Sequence, residues 1–328
     1  MRTTVLLSTN IGRGRVTTLQ LRPDWKDPMP ELPDIELYAA ALRQRIVGQP
    51  LQQSTVKSLF ALRSVEPPMS ALAGAVSKDI LRFGKRLVFV FDAPAVMVTH
   101  LMLAGRLLWD AKPTSLGKAL LASWQFPTGT LYLTEAGTKR RASITLFPNL
   151  EAARGAIPAA LEPLECTEQE FLKAVGASSR TLKRALIDPA TLSGIGNAYS
   201  DEILHHARLS PVRLTNHLDN QEWSRLYCST QHVLGQAMQH LKDHFGDRFP
   251  GRGQITAFRP EFAAHGKFGQ PCPVCGVPIQ RIRYAENETN YCPRCQNEDR
   301  LLSDRSLARL LKADWPRTVE ELLEGKQR

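Results

Sequence analysis

Three observations predict an α+β protein: an N-terminal amphipathic helix, β-type patterning through residues 51–147, and a switch to helical periodicity beyond residue 163. Four cysteines near the C-terminus add a small module of their own. The expected architecture is an N-terminal helix with a β-sandwich or flattened barrel, a helical domain, and a C-terminal zinc ribbon. At 328 residues the chain is long enough for roughly two domains of about 150 residues each. Its 42 basic against 32 acidic side chains leave +10, a moderate excess that suits a polyanion such as nucleic acid without requiring one. No stretch approaches the roughly 18 uninterrupted apolar residues of a membrane helix. The longest candidate, residues 87–98, is broken by Asp92 and Pro94, so a soluble protein is expected, and without a secretory signal a cytoplasmic one.

Residues 1–28 carry five basic and two acidic side chains and no sustained period. A mis-assigned start, an Arg-rich targeting peptide and a basic arm touching phosphates all compete to explain them; the first is favoured. Met29-Pro30-Glu31-Leu32-Pro33-Asp34 then opens a helix with Ile35, Tyr38, Leu42 and Ile46 on one face, Pro33 near its start, and Gly48 and Pro50 closing it. Residues 80–91, 96–109 and 124–147 read as β structure, punctuated by Asp92 to Pro94, Pro127 to Gly129 and Glu135 to Gly137. Residues 148–163 read as an Ala-, Gly- and Pro-rich linker. Helices are expected over 167–175, 181–187, 199–207 and 221–245, the last with Trp223, Leu226, Val233, Leu234, Ala237 and Leu241 inward, and a short one after Ser303. The expected divisions are a non-native or disordered extension (1–29), a β-sandwich domain (30–150), a helical domain (151–262), the ribbon (263–298) and a helical tail (299–328).

Cys272, Cys275, Cys292 and Cys295 form C-x2-C-x16-C-x2-C, in the contexts Cys-Pro-Val-Cys-Gly and Cys-Pro-Arg-Cys-Gln. Two such knuckles joined by a hairpin let four thiolates converge on one structural Zn²⁺, with no coordination position left for catalysis. Cys166 and Cys228 read as thiols without a role. His205 and His206 read as the surface of a helix.

Three landmarks together carry a family resemblance: the Met29-Pro30-Glu31-Leu32-Pro33-Asp34 start, the turn Ser193-Gly194-Ile195-Gly196-Asn197-Ala198-Tyr199-Ser200-Asp201-Glu202, and the ribbon ending Tyr291-Cys292-Pro293-Arg294-Cys295-Gln296. In this order and at these separations they resemble the formamidopyrimidine-DNA glycosylase/endonuclease VIII (Fpg/Nei) family, over Pro30 to about Gln296. The resemblance implies a base-excision repair glycosylase with abasic-site lyase activity, acting as a monomer on double-stranded DNA that holds damaged bases or abasic sites. It also implies a helix-two-turn-helix domain beside the sandwich and ribbon. Pro30 would be the nucleophile, provided that Met29 is the initiator and is removed, because a free N-terminal proline is a secondary amine of pKa about 7.7–8. Glu31 would be the acid or proton shuttle, and Lys85, in Arg82-Phe83-Gly84-Lys85, the hairpin lysine beside the lesion. Gly194, Gly196 and Asn197 would grip a phosphate at a helix start, with Lys183 as a second contact. Leu103 falls where the family places an apolar wedge that fills the gap of a flipped nucleotide. Asp201 and Glu202 read as structural acids in the first helical turn. His265 reads equally as a DNA-backbone contact or a core hydrogen bond.

Two departures stand out. The ribbon hairpin lacks the family's arginine: Asn287 stands near that position between Glu286 and Glu288, a repulsive pair unless Arg281 or Arg283 neutralises it. The intercalation loop, an Arg followed by Phe in the family, is replaced by Thr138-Lys139-Arg140-Arg141-Ala142, which keeps basic DNA contacts in Arg140 and Arg141 and loses the aromatic ring. A divergent branch with a different lesion or opposite-strand reading is therefore expected. The alternatives are a lyase acting mainly on abasic sites, or a non-catalytic zinc-containing protein that binds damaged DNA.

Overall fold

The computed structural model describes residues 29–110, 116–137, 140–255, 259–284, 287–302 and 316–324. Helix α1 (Leu32–Ile46) starts at a reciprocal capping box between Glu31 and Asp34, with Pro33 in its first turn, where a missing N–H costs nothing. Two four-stranded sheets follow. One has the order β1 (Gln53–Val56), β6 (Leu120–Phe126), β7 (Gly129–Glu135), β5 (Gly105–Asp110), and the other β2 (Ser77–Phe83), β3 (Arg86–Phe91), β4 (Val96–His100), β8 (Ser143–Phe147). All pairings are antiparallel. Each long β-type run in the sequence is thus two or more strands separated by tight turns, which apolar content alone does not reveal.

Ile80, Leu87, Phe89 and Phe91 from one sheet meet Leu121, Trp124, Leu131 and Leu133 from the other, and α1 closes this core with Ile35, Tyr38, Leu42 and Ile46. The outer face of β3 and β4 is also apolar: Val88, Val96 and Val98 pack against Ala153. That contact corrects the linker expected over 148–163. Asn149 caps a helix there, α2 (Leu150–Gly155), by accepting from the Ala152 N–H at 2.8 Å, and α2 covers a sheet face that would otherwise be exposed.

The helical part comprises α3 (Glu168–Val175), α4 (Leu182–Ile187), α5 (Asn197–Ala207) and α6 (Asn220–Phe245). Thr167 and Asp219 cap α3 and α6 with capping boxes. Leu32, the first residue of α1, belongs to this helical core with Leu182, Ile195, Tyr199 and Leu204, not to the sandwich. In return, Leu241 and Phe245 of α6 enter the sandwich core. The two cores are therefore interleaved at the start of α1.

The ribbon hairpin, β9 (Gln280–Tyr284) and β10 (Asn287–Tyr291), leads into α7 (Pro293–Asn297). A further helix, α8, spans Val319–Glu324. The helix expected directly after Ser303 falls on residues 303–315, and the extension on residues 1–28; both lie outside the described residues, as does Lys139. No helix among the described residues is long and apolar enough to cross a membrane.

Candidate active site and zinc centre

The junction between the two cores gathers the first group of predicted residues. Pro30 is buried and Glu31 is 3% exposed. The Glu31 carboxylate accepts from the backbone N–H groups of Gly196 (2.6 Å), Ala198 (2.8 Å) and Tyr199 (3.2 Å), so it sits on the N-terminus of α5 where the orphan donors and the helix dipole favour an anion. Leu32 N–H donates to the Gly194 carbonyl at 2.9 Å, fixing the chain on the other side of the same loop.

Glycine is required twice in that loop. Gly194 has φ +78°, in the left-handed region, and a side chain there would meet Leu32 Cβ at 2.8 Å. A methyl on Gly196 would lie 2.5 Å from Glu31 Cδ and 2.6 Å from Lys85 Nζ. Gly196 is therefore the floor on which Glu31 and Lys85 converge.

Lys85 lies in the Gly84-Lys85 turn between β2 and β3, not within a strand. Burial lowers its pKa below the ordinary lysine value; Glu31 opposes this, and the Lys183 cation adds to it. Next to it His100 is held down at about 4 by burial and by the Arg86 and Lys85 charges, so it is neutral at physiological pH.

Side chains with no recognisable sequence signal hold this arrangement. Arg82 Nε donates to Glu36 Oε1 (2.7 Å), and its Nη1 reaches the Gly84 carbonyl (3.1 Å) and Ser193 Oγ (3.1 Å). Its Nη2 pairs with Glu162. One guanidinium thus ties α1, the Lys85 turn, the glycine loop and the helical domain together. Asp34 accepts the Glu31 N–H at 2.9 Å and is ion-paired with buried Arg259; burial raises its carboxyl pKa despite that cation. Only spatial proximity across 225 residues identifies the Asp34–Arg259 pair.

The remaining predicted contacts lie on other elements. Leu103 is in the β4–β5 turn, where Met102 adopts φ +53° and the Leu103 carbonyl accepts from Arg106 at 3.0 Å. Arg140 and Arg141 are exposed just before β8. Buried Glu135 organises that stretch, accepting from Arg141 N–H at 2.9 and 3.0 Å and from Ala142 N–H at 3.0 Å.

Asn197, the first residue of α5, donates through Nδ2 to the Glu288 carbonyl of β10 at 2.6 Å. Lys183 is buried, with Nζ 2.5 Å from Asp201 Oδ1 and 2.6 Å from the Asn197 carbonyl, a structural ion pair rather than an outward-facing cation. Asp201 and Glu202 are buried beyond the first turn of α5. Burial raises the Asp201 pKa, but Lys183 and His265 outweigh it and hold the carboxyl below its ordinary value. Asp201 Oδ2 also meets His265 Nδ1 (2.8 Å) and the Asn290 N–H (3.0 Å), so His265 makes a core contact. Glu202 accepts the N–H groups of Ala263, Ala264 and His265 at 2.7–2.9 Å. On the ribbon, Arg283 (2.9 Å) and Arg281 (3.6 Å) pair with Glu288, so that acid is neutralised. Glu286 lies outside the described residues.

The four ribbon sulfurs lie within 4.8 Å of one another, with Cys272–Cys295 at 3.9 Å and Cys275–Cys292 at 3.4 Å. A tetrahedral Zn²⁺ with bonds of about 2.3 Å needs sulfurs about 3.8 Å apart, so the set fits one ion. Gly276 (φ +75°) turns the first knuckle, and Cys295 N–H points at Cys292 Sγ (3.4 Å) in the second. Zinc is the structural cofactor held by Cys272, Cys275, Cys292 and Cys295. His205 corrects the surface reading: it is 5% exposed, with Nε2 3.2 Å from Cys272 Sγ.

Comparison with known proteins matches this arrangement part by part. Residues 29–139 match the formamidopyrimidine-DNA glycosylase N-terminal domain, 159–247 the formamidopyrimidine-DNA glycosylase H2TH domain, and 269–297 the zinc finger found in FPG and IleRS. The formamidopyrimidine-DNA glycosylase of Thermus thermophilus is 32% identical over 280 residues, spanning 82% of this chain and 99% of that protein. The chain belongs to the formamidopyrimidine-DNA glycosylase family. A second family member, from Desulfitobacterium hafniense, is 28% identical across 82% of this chain and 100% of its own length. Among solved family structures, the MutM (Fpg) protein of T. thermophilus superposes with a TM-score of 0.69 at 28% identity, over 81% of this chain and 98% of that one. The Lactococcus lactis Fpg in complex with DNA containing an abasic site superposes with a TM-score of 0.72 at 25% identity, over 81% and 99%.

Proposed function

We propose that the protein is a DNA base-excision repair glycosylase with abasic-site lyase activity, acting on double-stranded DNA through Pro30. The observation that carries this reading is the convergence of Glu31 and Lys85 on Gly196, directly beside Pro30, where the sandwich and helical cores meet. The L. lactis relative bound to abasic-site DNA supports the substrate class.

In the proposed reaction the Pro30 amine attacks C1′ of the damaged nucleotide, the C1′–base bond breaks, and the base leaves with a proton. The sugar ring opens to leave C1′ as an iminium on Pro30, which acidifies the C2′ hydrogens. Loss of one C2′ proton expels the 3′ phosphate by β-elimination, loss of a C4′ proton then expels the 5′ phosphate where δ-elimination follows, and hydrolysis of the iminium regenerates the amine. Glu31 protonates the sugar ring oxygen or relays protons during elimination. Lys85, whose ammonium is destabilised by burial, sits where it can hold the adjacent phosphate or take up a proton. Asn197, with Gly194 and Gly196, serves the phosphate backbone, and Leu103, Arg140 and Arg141 serve the duplex around the lesion. The chemistry requires a free amine on Pro30, because the nitrogen of an internal proline is an amide.

Borohydride trapping on an abasic-site duplex tests this reading. Protein processed to begin at Pro30 is expected to give a covalent adduct, and Pro30→Gly a weaker one; protein retaining residues 1–29 is expected to give none. A processed protein that binds the duplex but forms no adduct would leave only the non-catalytic DNA-binding reading. An adduct without release of damaged bases would favour the abasic-site lyase.

A further inference from the structure

We propose that His205 is a working part of the zinc centre, donating its Nε2–H to the Cys272 thiolate and thereby fastening the ribbon to α5. The two groups are 67 residues apart in sequence and 3.2 Å apart in space, and both are buried: His205 is 5% exposed and Cys272 2%. Zinc bound by four thiolates carries two net negative charges, and a buried anion of that kind needs hydrogen-bond donors directed at sulfur. A metal-bound thiolate is an acceptor only, so the facing imidazole nitrogen must carry hydrogen. The four cysteines already close a tetrahedron, which leaves His205 outside the coordination shell.

The second knuckle is fastened at the same place. Gln296 accepts the Cys292 N–H at 2.7 Å and donates to the Leu209 carbonyl at 3.0 Å, just beyond the end of α5. At the other end of α5, Asn197 holds the Glu288 carbonyl of the hairpin. The ribbon therefore grips the helix at both termini. This inference rests on the zinc site and stands whatever the outcome of the trapping experiment.

The test uses the full chain reconstituted with zinc, and separately with cobalt, as parent, His205→Phe, His205→Gln and His206→Ala. His205→Phe is expected to keep the four-sulfur d–d absorption of cobalt while its sulfur-to-cobalt charge-transfer band shifts. Its zinc affinity against a chromophoric chelator should fall about 10- to 100-fold. His205→Gln, which retains a donor, should recover part of both effects, and exposed His206→Ala should match the parent. Charge-transfer bands and zinc affinities unchanged in both His205 variants would overturn the proposal. So would a parent d–d spectrum of three sulfurs and one nitrogen, because His205 would then be a ligand. If His205→Phe does not fold, His205→Ala, which also removes the donor, decides by the same readouts: a shifted band with reduced affinity supports the hydrogen bond, and parent values for both refute it.

Discussion

At the scale of single residues, Gly196 leaves no room for a side chain beside the site. Any side chain there must displace the Glu31 carboxyl, the Lys85 ammonium, or both. Misplacement by about 1 Å costs on the order of 10²-fold in rate. Gly196→Ala is therefore expected to lower turnover on a damaged duplex by about that factor, with a much smaller change in DNA affinity; parent turnover would show that the loop has slack. Asn197→Ala tests the phosphate grip in a different way. It should weaken binding to all sequences alike and leave the salt slope unchanged, because a neutral amide positions a phosphate without releasing a counterion. Parent affinity would confine Asn197 to its observed bond with Glu288.

At the scale of elements, the ties between segments matter more than the segments themselves. Arg82 joins α1, the β2–β3 turn and the helical domain through Glu36, Gly84, Ser193 and Glu162. Charge-assisted bonds of this kind each contribute about 1.5–3 kcal/mol, so Arg82→Ala should lower the urea midpoint measurably and reduce activity further by releasing Lys85. The Lys183–Asp201 pair is more deeply buried, and losing one partner of such a pair costs about 3–5 kcal/mol. Because the Asp201 carboxyl is held below its ordinary value in the fold, its contribution is complete above about pH 4 and is lost as pH falls further, through the folded-state pKa. Asp201→Asn should be less stable at neutral pH and show a shallower loss on acidification below pH 4. An unchanged acid limb in urea titrations would contradict that role.

Sequence periodicity located α6 to within a residue because a 26-residue amphipathic helix repeats its pattern many times. It missed α2 because six residues give less than two turns, although Asn149 and the acidic Glu151 after it were a legible start signal. The landmarks that were legible, Pro30-Glu31, the glycine loop and the four cysteines, lie on contiguous motifs. Arg82, the Asp34–Arg259 pair and His205 became visible only when distant segments were brought together. His205 read as surface because the ribbon that covers it comes 67 residues later.

At the scale of the whole molecule, the start of α1 lies in one core and the rest of it in another, while the ribbon is fastened to α5. The site is thus assembled where two cores meet, with the ribbon held against α5 beside it. Removing zinc with a chelator should unfold the ribbon and reduce DNA affinity, and adding zinc back should restore both; stability and affinity indifferent to chelation would argue against the metal's structural role. The proposed chemistry turns on one atom, the Pro30 nitrogen. It is tested by digesting the borohydride-reduced adduct of the processed protein and mapping the DNA-modified peptide by mass spectrometry. A sugar remnant is expected on the amine of the N-terminal peptide beginning Pro30-Glu31, whereas attachment at Lys85 or any other lysine, with the N-terminal peptide unmodified, would rule out Pro30 as the nucleophile.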